Sequence, residues 1–282
     1  RKDFSDFNNK VIFDVQFDKA TIASNDLNYF YNEFGKNNVF YVDTHLVGTL
    51  NNFTTHNLKL VDKNQSEIVG TANFRNLFGK GNQEFYMKGN FDRITSNYED
   101  LKSILPRILG SNLPSVLSKL GNVNIAGDVE LTQKYINANV TMLSQLGYLE
   151  GNLAMQNINN IDNASYQGNI KLDAFDLGTL LSQNDIGKAS LDLDVDGKGF
   201  TQKLLNTAIK GKIEKFYYNG YNYQNITVDG SMKMPYYKGY FNSNDPNLKM
   251  DFDGTIDLSL KAKKYDFKAQ IDYADLHILN FY

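Results

Sequence analysis

The sequence predicts a mainly β chain: an elongated, curved antiparallel β-sheet, taco-like around a U-shaped groove, with a few short helices. Three observations carry that prediction. Apolar and polar residues alternate, as in Leu248, Met250, Phe252, Gly254, Ile256, Leu258 and Leu260 with Lys249, Asp251, Asp253, Thr255, Asp257 and Ser259 between them. A period of two is a strand with one oily face. Glycine recurs in the apolar phase of strand after strand, where a large side chain would ordinarily sit, and a strand glycine marks a bend or a close approach. These glycines are also spaced like hairpins: Gly48 to Gly70 spans 22 residues, Gly127 to Gly151 spans 24, and Gly211 to Gly230 spans 19. Short polar turns at that spacing read as a meander.

Taken in chain order, Gly48, Gly70 and Gly89 each have apolar neighbours two residues to either side and define the first strands. Gly79-Lys80-Gly81 reads as a turn. Ser96 and Glu99 form a capping-box pattern, and Leu101, Ile104, Leu105, Ile108 and Leu109 give helical spacing until Pro106 kinks or ends the helix. Leu113 to Leu120, closed by Gly121, reads as a second short helix. Strands resume with Val123, Ile125, Gly127, Val129 and Leu131, continue through Gly151, Gly168, Gly187 and Gly211, and run into Ile226, Val228, Gly230, Met232 and Met234. Turns fall at Asn219-Gly220 and Asn244-Asp245-Pro246-Asn247. Gly239 and Gly254 mark the last two of these strands.

A slower repeat lies over the strands. Asp26-Leu27, Asp100-Leu101, Asp176-Leu177 and Asp275-Leu276 are each followed, three residues after the leucine, by another apolar residue, and Thr201-Gln202-Lys203-Leu204 is a weaker relative. Asp or Thr at a helix start accepts from free backbone N–H groups, so each instance predicts a short helix closing a block of strands. The blocks run approximately 1–100, 101–176 and 177–282, within one elongated domain. The polar opening Arg1 to Lys10 makes the chain read as a section of a longer protein.

Composition narrows the function classes. A net charge of −3 over 282 residues, with no basic block, argues against nucleic acid, whose phosphates demand clustered Lys and Arg. There is no cysteine, which excludes disulfides and Cys-based metal sites. No run approaches the ~20 apolar residues of a membrane span. Asp192-Leu193-Asp194-Val195-Asp196-Gly197 opens like an EF-hand loop, but Lys203 stands where a bidentate Glu is required, and the alternation there is that of a strand. His45, His56 and His277 share no spacing that suggests a metal site. Asp192, Asp194, Asp196, Asp251, Asp253 and Asp257 fall on the outward face, and no nucleophile or phosphate-loop motif occurs, so no enzyme, catalytic residue or cofactor is expected. Tyr217, Tyr218, Tyr221, Tyr223, Tyr236, Tyr237 and Tyr240 form an aromatic cluster that reads as strand packing, with glycan stacking as the alternative.

The oily face of about a dozen strands must be covered by a second sheet, by itself, or by a ligand. Glycines at one level favour a folded-over sheet with an open trough. The trough candidates are Leu172, Leu193, Ile213, Val228, Met232, Met250, Phe252 and Ile256, with Gly127, Gly168, Gly211, Gly230 and Gly254 as its glycines. An acyl chain suits such a trough, since each buried CH₂ contributes ~0.8 kcal/mol.

Phe175-Asp176-Leu177-Gly178-Thr179-Leu180-Leu181, then Ile186-Gly187 and Val195-Asp196-Gly197-Lys198-Gly199-Phe200, resemble the TamB family of the AsmA-like superfamily. Tyr221 to Gly230, Asn244 to Leu248 and Phe252-Asp253-Gly254 resemble it too. The resemblance implies an envelope protein anchored in the inner membrane by a segment outside this chain. Its periplasmic β-structure would reach an Omp85-type outer-membrane protein, and its groove would carry phospholipid acyl chains between membranes while supporting outer-membrane protein assembly. Without the anchor in this chain, neither anchoring nor docking is carried over to particular residues. The alternative is a structural or chaperone-like scaffold that binds outer-membrane protein strands without carrying lipid.

Overall fold

The structure is a computed structural model that describes residues 6–30, 35–77, 84–104, 113, 115–200, 204–233, 235–259 and 263–281. The chain divides into two compact units, Arg1–Gln145 and Leu146–Tyr282, and the division falls inside the second of the repeat blocks. Both units are antiparallel meanders in which each strand pairs with its sequence neighbours.

The first unit contains α1 (Phe7–Lys10), β1 (Ile12–Ala23), α2 (Ser24–Phe30), β2 (Val39–Thr49), β3 (Asn52–Asp62), β4 (Glu67–Arg75), β5 (Tyr86–Asn97), α3 (Tyr98–Ile104), β6 (Asn122–Thr132) and β7 (Tyr135–Ser144). Facing residues of an antiparallel ladder share a face. Leu58 faces Gly70, Gly70 faces Phe91, Phe91 faces Gly127 and Gly127 faces Val140, so this row of alternating large and absent side chains lies on one face of β3–β7. Phe40, Val42 and Leu58 form a buried cluster, with Ile22, Leu60 and Ile68 packed against it.

Polar contacts fix how α3 meets the strands. Asp100 accepts from Asn64 Nδ2 at 2.7 Å, from Ser66 Oγ at 3.1 Å and from Asn97 Nδ2 at 2.6 Å, while its own amide donates to Asn97 Oδ1 at 3.0 Å. The helix cap is therefore Asn97 with Asp100, one residue later than the expected Ser96 and Glu99 pair. Ser96 lies on the buried side of β5, where its hydroxyl meets Ser66 Oγ at 2.9 Å and is taken by the ladder. The second expected helix is a 3₁₀ segment, Ser115–Leu120. Leu105, Pro106, Ile108 and Leu109, like Gly79-Lys80-Gly81, Thr201-Gln202-Lys203, Met234 and Leu260, lie outside the described residues.

The second unit contains β8 (Gly147–Gln156), β9 (Ser165–Asp176), α4 (Leu177–Leu181), β10 (Ile186–Lys198), β11 (Asn206–Tyr218), β12 (Tyr221–Lys233), β13 (Tyr236–Asp245), β14 (Leu248–Asp257) and β15 (Lys264–Ala274). Asp176 caps α4: the Thr179 amide donates to Oδ1 at 2.9 Å and its hydroxyl to Oδ2 at 2.7 Å. Those two bonds hold the carboxyl below its ordinary value of 3.8. A depressed carboxyl adds stability above its unfolded pKa and loses it as pH falls through the folded one. We expect Asp176→Ala to lower stability by about 1 kcal/mol at pH 7. Urea unfolding at falling pH should show that gap closing below the ordinary carboxylate range.

The fourth Asp-Leu element, expected as a helix, is a hydrogen-bonded turn. Asp275 Oδ1 accepts from the Ile278 amide at 3.1 Å and its carbonyl accepts from Leu279 N at 3.0 Å. The turn docks by a reciprocal pair, Asn280 Nδ2 to the Asn219 carbonyl at 3.1 Å and Asn219 Nδ2 to the Asn280 carbonyl at 3.4 Å. Its Leu279, 1% exposed, joins Leu193, Tyr223, Ile226 and Val228 in one buried cluster. Beside it, fully buried Asp245 receives the Tyr221 hydroxyl at 2.7 Å, the Gln224 amide at 2.7 Å and the Asn247 amide at 2.8 Å. Asp245→Ala would leave these donors unpaired, and we expect a loss of about 2–4 kcal/mol in denaturant unfolding.

Strand alternation breaks at bulges that were not anticipated from the sequence. Between Phe17 and Ala20, Thr55 and Leu58, and Phe91 and Ile94, one strand advances three residues while its partner advances two. Between Leu172 and Phe175, β9 makes the same advance against β10. A bulge adds one residue and bends the strand, so large residues on both sides of it reach the same face. The legible signal is a doublet that interrupts the alternation: Asp18-Lys19, His56-Asn57, Asp92-Arg93 and Asp173-Ala174.

Candidate functional site

The second unit places the trough candidates in adjacent rows of one face. The middle row runs Gly151, Ile170, Leu193, Gly211, Val228, Phe241, Phe252 and Ala269, each facing the next across a ladder. The row on one side runs Leu153, Gly168, Val195, Ile209, Gly230, Gly239, Gly254 and Phe267. Leu172, Ile213 and Met250 lie in the row on the other side, and Met232 and Ile256 in the row beyond the second. Gly168, Gly211, Gly230 and Gly254 therefore share one face with all eight apolar candidates. Gly127 lies in the first unit, on the face that carries Phe91 and Val140.

The face is not uniform along its length. Leu172, Leu193 and Val228 are buried, and Ile213 packs against the cluster closed by Leu279. At the level of β11–β14 an open apolar depression of about 440 Å³ remains, lined by Ile209, Met232, Phe241, Met250, Phe252 and Ile256 around Gly230, Gly239 and Gly254. Three hundred to a thousand cubic ångströms is the ordinary range for a small-molecule site. Met232 and Met250 add flexible, polarisable side chains that accommodate an irregular apolar ligand.

The expectation that the glycines leave empty room is corrected by their surroundings. A Cβ built at Gly168 would overlap the Asn152 carbonyl, and one at Gly211 the Asp192 carbonyl, both on the facing strand. Their φ values, +147° and +149°, lie where side chains are rarely tolerated. These glycines admit a neighbouring backbone where a Cβ would collide, so they leave no empty room at their own positions. Gly254 is closed in the same way, by the Phe267 Cα and the Asp266 carbonyl of β15, and the Phe267 ring lies tilted near Phe252 with centroids 5.0 Å apart.

The opposite face is polar and has its own depression of about 700 Å³, so the glycine-bearing face is not the sole concave one. Its ladder reads Asn152, Asn169, Asp194, Lys210 and Asp229. These groups satisfy one another: Asn169 Nδ2 donates to Asp192 at 2.9 Å and Asp194 at 3.1 Å, and Lys210 Nζ lies 2.7 Å from Asp229. Larger though it is, this depression carries the charges of Asp194, Asp196, Lys210 and Asp229 beside its apolar residues. Asp192, Asp194, Asp196 and Asp253 are exposed on this face, and Asp251 accepts from the Tyr240 hydroxyl at 2.6 Å, which holds its carboxyl down.

The tyrosines divide between roles. Tyr237 lines the apolar depression, Tyr221 and Tyr223 pack edge to face at 4.8 Å beside Asp245, and Tyr217, Tyr218, Tyr236 and Tyr240 are exposed. Burial, with the bond to Asp245, raises the Tyr221 hydroxyl pKa. The histidines were expected to be scattered, but the β2–β3 register sets His45 opposite His56, with ring centroids 5.8 Å apart and His45 Nε2 2.6 Å from Asp14. Among the described residues no group of three His, Cys, Asp or Glu is placed to hold a metal ion. No helix among them is long and apolar enough to cross a membrane. No protein-family model, curated protein or solved structure matches this chain.

Proposed function

We propose that the glycine-bearing face of the second unit binds an extended acyl chain, and that the protein is a periplasmic segment of an envelope-spanning conduit for phospholipid. The observation that carries this reading is the in-register apolar face that ends in an open depression at β11–β14. Apart from Lys238, its lining holds no charged residue, while the reverse face of the same strands is a ladder of amides and charges. A chain laid along such a face gains ~0.8 kcal/mol per buried CH₂ and needs no polar partner. The resemblance of Phe175–Leu181 and Tyr221–Gly230 to the TamB family supports the same reading and supplies its envelope setting. An Omp85-type partner and an inner-membrane anchor outside this chain belong to the reading on that ground alone.

Mass spectrometry of the protein purified under native conditions tests it. Co-purifying phospholipid, released on denaturation at a fixed ratio to protein, is the expected result. Protein free of lipid that still takes up none from mixed vesicles would sink the reading and favour the strand-binding scaffold.

A further inference from the structure

A bulge in the first unit brings two of the three histidines together. Continued regularly from Asp43 opposite Lys59, the β2–β3 ladder would set His45 opposite Asn57, but β3 advances three residues while β2 advances two, and His45 faces His56 instead. Bulges re-aim side chains in this way. The two rings lie with centroids 5.8 Å apart and planes tilted by 38°. An imidazole held at a metal–nitrogen distance of about 2.1 Å has its centroid about 3.2 Å from the ion, so two rings on one tetrahedral ion sit about 5.2 Å apart. The observed spacing is close to that, and a small side-chain rotation closes the difference. His45 Nε2 lies 2.6 Å from Asp14 Oδ1 of β1. An ionised carboxylate only accepts, so the neutral His45 ring donates from Nε2 and keeps its lone pair at Nδ1. A carboxylate orients metal-binding histidines in the same manner. His56 is exposed and the His45 side chain is 41% exposed, so an ion can reach both rings.

We infer that His45 and His56 bind one borderline divalent metal ion, of the class of Zn²⁺, Ni²⁺ and Cu²⁺, with Asp14 positioning His45. Among the described residues no group of three His, Cys, Asp or Glu is placed to hold an ion, so two imidazoles carry it and water completes its shell. Imidazole suits these ions, whereas Mg²⁺ and Ca²⁺ take oxygen ligands. The charges beside the pair agree with a cation. Asp43, two residues along β2 on the same face, keeps its carboxylate toward the Lys19 amide at 2.6 Å. Its ladder partner Lys59 lies 3.5 Å from Glu67, which also holds Arg93 at 2.6 Å. These cations are therefore neutralised by Glu67, while Asp14 and Asp43 lie to either side of His45 along the strands. An ion bound there ties β2 to β3 across the bulge. The site is separate from the acyl-chain face, which belongs to the second unit, and stands or falls without it.

Calorimetric titration of the full chain with a Zn²⁺, Ni²⁺ or Cu²⁺ salt alone tests the site. One ion per chain is expected, with Cu²⁺ bound most tightly of the three and no binding of Mg²⁺. His45→Gln and His56→Gln should each fall to the level of the double variant, whereas His277→Gln should bind as the wild type does. Asp14→Ala should bind at least about tenfold more weakly. Nitrogen NMR of the imidazoles should show that variant losing the Nε2–H form of His45 before any metal is added. In the wild type, Zn²⁺ should shift the ring nitrogens of His45 and His56 and leave those of His277 in place. Circular dichroism checks that each variant keeps its strands. A wild type that binds no more than the double variant, binding that survives His56→Gln, or one ion shared between two chains would each overturn the assignment.

Discussion

Replacing Gly168 or Gly211 by valine should destabilise the second unit by about 3 kcal/mol or more, while Gly151→Ala should be close to neutral. At the first two sites the new Cβ runs into a backbone carbonyl of the facing strand, which cannot rotate away as a side chain could. Overpacking of this kind costs about 1–3 kcal/mol, and a side chain at φ near +148° adds a strain of about 1–3 kcal/mol. Gly151 has no positive φ, and its nearest neighbour is Leu149 Cδ2 at 3.5 Å, an ordinary contact. Alanine there also restricts the unfolded chain, which can add up to about 1 kcal/mol of stability. Urea unfolding of the three variants decides it. Equal losses at all three would show that these glycines serve mere strand packing.

The meander was legible because its signals are local. Period-two alternation in Leu248–Ile256, turn chemistry at Asn219-Gly220 and Asn244–Asn247, and the cap at Asp176 all act within a few residues, whereas Asp26 and Asp100, expected as caps, lie inside the first turns of α2 and α3. The shared face of the trough candidates was legible for the same reason, since hairpin register follows from turn position and phase. Three features were not. The bulges at Asn57 and Ala174 depend on which strand faces which, so the doublets that mark them carry meaning only once the ladder is known. Leu279 reads from the sequence as part of a short helix closing a block of strands, yet it fills the cluster around Ile226 through a turn whose docking depends on Asn219, 61 residues from Asn280. The buried triple acceptor Asp245 looks from the sequence like any turn aspartate.

Phe252→Asp should abolish lipid co-purification while leaving the fold intact. Phe252 lies at the centre of the open depression, half-buried, between Phe241 and Ala269. An ionised carboxylate there would have to be desolvated beneath an acyl chain with no hydrogen-bond partner, a cost of at least a few kcal/mol. Each 1.4 kcal/mol is tenfold in affinity, so bound lipid should fall at least tenfold. Ile256→Lys should weaken binding less, because a lysine stem covers apolar surface while its ammonium reaches water. Asp253→Ala, on the polar face of the same strand, should leave the lipid ratio unchanged. Circular dichroism of each variant separates lost binding from lost structure.

Residue-specific photo-crosslinking tests the acyl-chain trough most directly. A crosslinker placed in turn at Phe252, Ile256, Leu193, Asp194 and Asp253 reports what touches each face in protein carrying its co-purified lipid. The account predicts labelled lipid at Phe252 and Ile256, weaker labelling at Leu193 where Leu279 closes the cluster, and none at Asp194 or Asp253. Equal labelling from both faces would contradict it.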